Sequence, residues 1–143
     1  MQNRKKNSGR EGMTLIEVML VLFILMTIAS IGMFAVQDQR KKAKISFAKT
    51  QLGQIAGLLD LYESNVGHYP ATEESLEALC SCPPSVDESV WVRTANWSTP
   101  PLDPWENRYN YEYPGSAGMD SFNLWSNGPD GQSGTDDDIW FSR

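Results

Sequence analysis

Residues 124–138 read LWSNGPDGQSGTDDD, the densest chemistry in the chain. Asp130, Asp136, Asp137 and Asp138 supply hard carboxylate oxygens. Gly128, Gly131 and Gly134 let the backbone turn tightly and present carbonyls. Calcium takes about six to eight such oxygens, from carboxylates, carbonyls and water. The composition therefore suits a calcium loop, and equally a solvated acidic turn. An EF-hand is excluded: of its early acidic positions only Asp130 is present, and the flanking segments alternate like strands. Glu17 is the second candidate, a lone carboxylate in an apolar run. Either it stays wet near an interface or it has a positive partner, such as an amine freed by cutting before Met13. Cys80 and Cys82 lie only two residues apart, a spacing that strains a disulfide. They are read as a disulfide or free thiols rather than zinc ligands, since His68 is the one histidine available to join them. One histidine, no nucleophile set and no phosphate loop argue against an enzyme.

These groups must be positioned by a chain of 143 residues, room for one small domain. The net charge is −6, unevenly spread. Residues 1–12 carry Arg4, Lys5, Lys6 and Arg10 against Glu11. Residues 37–59 carry Arg40, Lys41, Lys42, Lys44 and Lys49 against Asp38. Residues 60–143 hold three basic and fifteen acidic side chains, a net of −12 that excludes nucleic acid as a partner. Between the two basic zones lies MTLIEVMLVLFILMTIASIGMFAV, residues 13–36, with no proline. From Val18 to Val36 it is uncharged, and about 20 such residues cross a hydrocarbon core as a helix. A cleavable secretory signal would be shorter, with its cut after the apolar run rather than before it. Basic residues flank the run on both sides, so charge does not set its orientation.

Gly12-Met13-Thr14-Leu15-Ile16-Glu17, followed by a long apolar helix, resembles the class III signal of type IV pilins and type II secretion pseudopilins. The resemblance implies a cut by prepilin peptidase after Gly12 and methylation of Met13. It also implies that Glu17 compensates the amino-terminal charge of the adjacent subunit.

Beyond Val36, Ile45, Ala48, Leu52, Ile55, Leu59 and Tyr62 recur every three or four residues. That is one apolar helical face, so a continuous helix is expected from near Met13 to about Ser64. The basic collar after Val36 reads as a lipid-facing or a solvated surface. Gly67-His68-Tyr69-Pro70 breaks the helix. Thr72 is expected to cap a short second helix, with Leu76 and Leu79 inward. A short strand is expected at Val90-Trp91-Val92. Tyr109, Tyr111 and Tyr113 then alternate with polar residues, as do Phe122, Leu124 and Ser126, and Ile139 and Phe141. The fold class is α+β: a long helix packed on a small antiparallel sheet. The expected layout is leader 1–12, membrane part 13–36, periplasmic helix 37–65 and globular domain 66–143.

The later segments extend the resemblance, toward major pseudopilins. Tyr69 to Leu79 looks like their segment after the long helix. Asp103-Pro104-Trp105-Glu106-Asn107-Arg108-Tyr109 resembles DPWGNPY, with Glu106 and Arg108 replacing glycine and proline and so altering the turn's geometry. Ser126 to Ile139 resembles their calcium loop, in its Ser-x-Gly-x-Asp-Gly start and Asp-x-Asp-Ile end. The resemblance implies Asp130 and two of Asp136, Asp137 and Asp138 as ligands of Ca2+, with carbonyls near Asn127. It further implies a non-enzymatic subunit of a helical fibre in type II secretion. Its partners would be copies of itself, minor pseudopilins, the inner-membrane secretion platform, prepilin peptidase and membrane lipid. The chain would cross the inner membrane once, with its C-terminal domain in the periplasm. The rival readings are a type IV pilus or similar fibre subunit, and a membrane-anchored calcium-binding sensor or adhesin.

Overall fold

Ala48, Leu52, Ile55, Leu59 and Tyr62 form one buried stripe on helix α1 (Leu15–Val66), each at most 1% exposed. The computed structural model describes residues 13–142 and, for residues 30–36, the backbone alone. Gly12 and the leader lie outside the described residues. The chain divides into two units, one ending at Arg40 and one spanning Lys41–Arg143, and α1 contributes to both. The helix stops where the sequence stops favouring it. Gly67 takes a left-handed φ of 94° and its N–H donates to the Glu63 carbonyl at 2.7 Å, a glycine C-terminal cap.

The buried stripe packs on a three-stranded antiparallel sheet of β1 (Asn110–Glu112), β2 (Asn123–Ser126) and β3 (Ile139–Trp140), in that order. Tyr111 sits opposite Leu124, and Ser126 opposite Ile139, so alternation turns this set toward the helix. Trp125 and Trp140, paired across the other face, stack with centroids 4.7 Å apart. Tyr109 and Tyr111 keep their hydroxyls paired as their rings enter the core, whereas the buried Tyr62 hydroxyl has no hydrogen-bond partner. Tyr109 donates to Gln51 Oε1 at 2.6 Å and Tyr111 to the Pro70 carbonyl at 2.8 Å. The tyrosine row is thus a core face.

Two local expectations are corrected. Thr72 caps no helix. Its hydroxyl donates to the Tyr113 carbonyl and accepts the Tyr113 N–H, both at 2.9 Å, and so staples this segment to the end of β1. The short element is a 3-10 helix at Ser75–Leu79, with Leu76 and Leu79 buried as expected. Val90-Trp91-Val92 forms no strand. Trp91 instead donates its indole N–H to the Ala78 carbonyl at 2.9 Å, while the N–H groups of Thr94 and Ala95 reach the Leu79 carbonyl. The Val90 and Trp91 N–H groups turn back to the Asp87 carbonyl, both at 3.0 Å, so this backbone is satisfied by a turn rather than by a strand partner. Cys80 and Cys82 are free thiols, each directed at backbone carbonyls.

Candidate functional site

The register that sets Ser126 opposite Ile139 closes the neck of a loop, residues 127–138. A 3-10 turn at Gly128–Asp130 opens it. Gly128 has φ 64°, and a Cβ there would lie 2.3 Å from the Asp137 carbonyl oxygen, so only glycine lets the two ends of the loop meet.

The acidic residues take different positions. Asp130 accepts the Gln132 N–H at 2.8 Å. Asp137 accepts the Thr135 hydroxyl at 2.6 Å and the Asp130 N–H at 3.3 Å. The Thr135 bond is the main reason its carboxyl is held below the usual carboxylate range. Asp138 accepts the Gly134 N–H through Oδ2 at 2.7 Å, while its Oδ1 is buried with no hydrogen-bond partner. Asp136 is exposed. The Asn127 side chain donates to the Gly131 carbonyl at 3.3 Å and accepts from Asn110 at 2.5 Å.

The donor set is all hard oxygen, from carboxylates and carbonyls, and suits calcium or magnesium rather than zinc. Among the described residues no three His, Cys, Asp or Glu side chains converge on one point. Main-chain carbonyls would therefore have to complete a shell. The unpartnered Asp138 Oδ1 fits such an ion, because buried acceptors in native proteins find a partner. A cleft of about 420 Å³, lined by Lys41 and Lys49 as well as Asp136, Asp137 and Asp138, gives the loop a solvent path.

Three contributors went unread in the sequence. Asp103 and Ser126, both buried, hydrogen-bond each other at 2.5 Å, 23 positions apart. The Asn107 amide donates to the Gly128 carbonyl at 3.4 Å. The DPW segment marked this turn as special, but not what it holds. Glu106 is a residue of this turn under strain. At φ 70° it holds the left-handed conformation that glycine adopts freely, at a cost in strain. Glu106→Gly should stabilise the protein by about 0.5–1 kcal/mol, the relieved strain less the added chain entropy. A rise of about 3–6 °C in thermal unfolding checks this; an unchanged or lower midpoint contradicts it.

At the other end, Thr14 accepts the Glu17 N–H on its hydroxyl at 3.3 Å and on its carbonyl at 3.1 Å. Thr14 thus caps α1 and Glu17 sits in the first turn, where the helix dipole favours an acid. The T-x-x-E spacing carried that signal. Met13 precedes the cap and is exposed. From Met13 to Ile28 the large apolar side chains are exposed, Leu15 by 82% and Ile16 by 76%. Among the described residues no helix is long and apolar enough to cross a membrane. The apolar run of the sequence continues through residues 30–36, whose side chains lie outside the description.

An antiparallel sheet docked on the later part of a long helix, whose earlier part exposes apolar side chains, is the architecture of a pilin-type subunit. The family model for type II secretion system protein G matches residues 35–140. The type II secretion system core protein G of Pseudomonas aeruginosa is 36% identical over 138 residues, covering 96% of this chain and 93% of the relative. That of Aeromonas hydrophila is 35% identical over 140 residues, covering 97% and 94%. The crystal structure of the major pseudopilin from the type 2 secretion system of enterohaemorrhagic Escherichia coli is similar, with a TM-score of 0.61 and 28% identity. That similarity covers 73% of this chain and 90% of that one. The chain belongs to the type II secretion system protein G family. It is a structural subunit of a pseudopilus, a component of the cell envelope.

Proposed function

We propose that this subunit is held by residues 13–36 in the inner membrane, which it crosses once, with its C-terminal domain in the periplasm. Prepilin peptidase cuts it after Gly12, Met13 is methylated, and the helices of successive copies then stack into a helical fibre. Minor pseudopilins and the inner-membrane platform share in that assembly. The observation that carries the reading is the exposed apolar surface from Met13 to Ile28, which holds a single acid, Glu17. Water does not tolerate so large an apolar patch, whereas lipid and neighbouring helices cover it. Glu17 then pairs with the Met13 amine of the next subunit, which compensates a charge that is costly in lipid.

The loop of residues 127–138 holds one calcium ion in this reading. Asp138 would contribute its unpartnered Oδ1, and binding would have to draw Asp130 and either Asp136 or Asp137 toward it, with carbonyls near Asn127. Bound calcium would offset the crowded negative charge and tie β2 to β3. Family membership sets aside the type IV pilin and membrane-anchored sensor alternatives.

Glu17→Ala tests the assembly reading. Intact mass should show normal cutting at Gly12, while the amount of chain recovered in sheared fibres, and cargo secretion with it, should fall about tenfold or more; losing an interaction of about 1.4 kcal/mol per contact accounts for a factor of ten. Normal fibre yield from correctly cut Glu17→Ala protein would remove the pairing role.

A further inference from the structure

We propose that Asp103, acting through Ser126, is a positioning residue for the metal loop: it holds the Gly128 peptide where the two ends of the loop meet. This rests on the calcium reading of residues 127–138. Asp103 is 5% exposed and Ser126 fully buried. A buried carboxylate must find strong donors. Those of Asp103 are local on one side, the N–H groups of Trp105 at 2.9 Å and Asn107 at 2.8 Å. On the other side its Oδ2 takes the Ser126 hydroxyl at 2.5 Å.

That arrangement fixes the direction of a relay. An ionised carboxylate only accepts, so the Ser126 proton points at Asp103. The hydroxyl oxygen then faces the Gly128 N–H, which donates to it at 3.1 Å. The Gly128 carbonyl is met by the Asn107 side chain, and the backbone N–H of Asn107 is bound to Asp103. Both main-chain polar groups of Gly128 thus depend on one carboxylate. Gly128 is also where the chain approaches the Asp137 carbonyl too closely for any side chain. A shift of this peptide moves the start of the loop against Asp137 and Asp138, the carboxylates nearest its end. Asp103 touches no ligand itself. Its role is to orient the main chain that would complete the ion's shell, as outer groups do in other metal sites.

Asp103→Asn keeps the shape of the side chain but turns a donor toward Ser126, so the hydroxyl proton loses its acceptor and the relay its direction. Titration calorimetry of the detergent-solubilised full chain with calcium chloride reads the effect. The dissociation constant should rise about 10–100-fold, the range found when outer-shell partners are removed. Ser126→Ala breaks the same relay without altering the carboxylate, and keeps the test decisive where Asp103→Asn fails to fold. The double variant should bind no more weakly than the weaker single one, because both changes cut one relay. Independent structural damage would instead multiply the two losses. Single variants that bind within about twofold of the unaltered chain, or losses that multiply, overturn the positioning role. Absence of binding in the unaltered chain overturns the calcium reading itself, and the relay's proposed role with it.

Discussion

Removing calcium from a soluble fragment that begins at Gln37 should lower its melting temperature by about 10–20 °C. A ligand at about 100 times its dissociation constant stabilises by about 2.7 kcal/mol. In a domain near this size each kcal/mol moves the midpoint by about 4–8 °C. The structural reason lies in the carboxylates. Asp130, Asp137 and Asp138 are held by local N–H and hydroxyl groups, but Asp138 Oδ1 is left without a partner in a buried place. With no ion, that oxygen and the repulsion among neighbouring acids weigh against the closed loop. Magnesium should restore little of the loss, because it demands a tighter octahedral shell. Asp138→Asn should lower the dependence on calcium sharply, since it removes the charge at the unpartnered position. Equal melting temperatures in calcium and in chelator, for a folded fragment, would make residues 127–138 a solvated turn.

Gly12→Val should leave the chain uncut and abolish fibre assembly. Residues 1–12 carry four basic side chains, and retaining them would keep a polar segment on the end of α1. The Met13 amine would never form, so Glu17 would lack its proposed partner at a cost of about 2.5–3.5 kcal/mol within the apolar layer. Intact mass of membrane-extracted protein checks both states. The unaltered chain should begin at a methylated Met13, and the variant at Met1. An unaltered chain that begins at Met1 in assembled material, or beyond Val36, contradicts the processing reading. The cap made by Thr14 gives the position added sense, because α1 begins two residues after the expected cut.

Long-range order was legible where one pattern ran far enough to outweigh local preference. The stripe from Ile45 to Tyr62 repeats over about five turns, and every member proved buried except Ile45 at its start, which is half-buried. The alternating tyrosines likewise placed β1, since a period of two can bury only one face. Short segments were less legible. Val90-Trp91-Val92 has strand-forming side chains, yet the Val90 and Trp91 N–H groups turn back to Asp87, and the Trp91 indole is bound to Ala78. Thr72 has the chemistry of a cap but spends it on Tyr113, 41 positions away. Glu106 departs from the glycine pattern yet holds a left-handed conformation, because the bonds around Asp103 over-determine the turn. In the candidate site the acids and glycines were visible as composition. The Asp103–Ser126 relay was not, because nothing local in either segment shows that one buried carboxylate meets the neck of the loop.

Assembly itself is tested most directly by electron microscopy of cells that overproduce the full chain with its secretion components. Thin helical fibres should appear, and mass spectrometry of the sheared material should identify this chain, beginning at Met13, as the main subunit. Cells that restore secretion while the correctly cut chain stays monomeric in the membrane, with no fibre containing it, would contradict the fibre-subunit role.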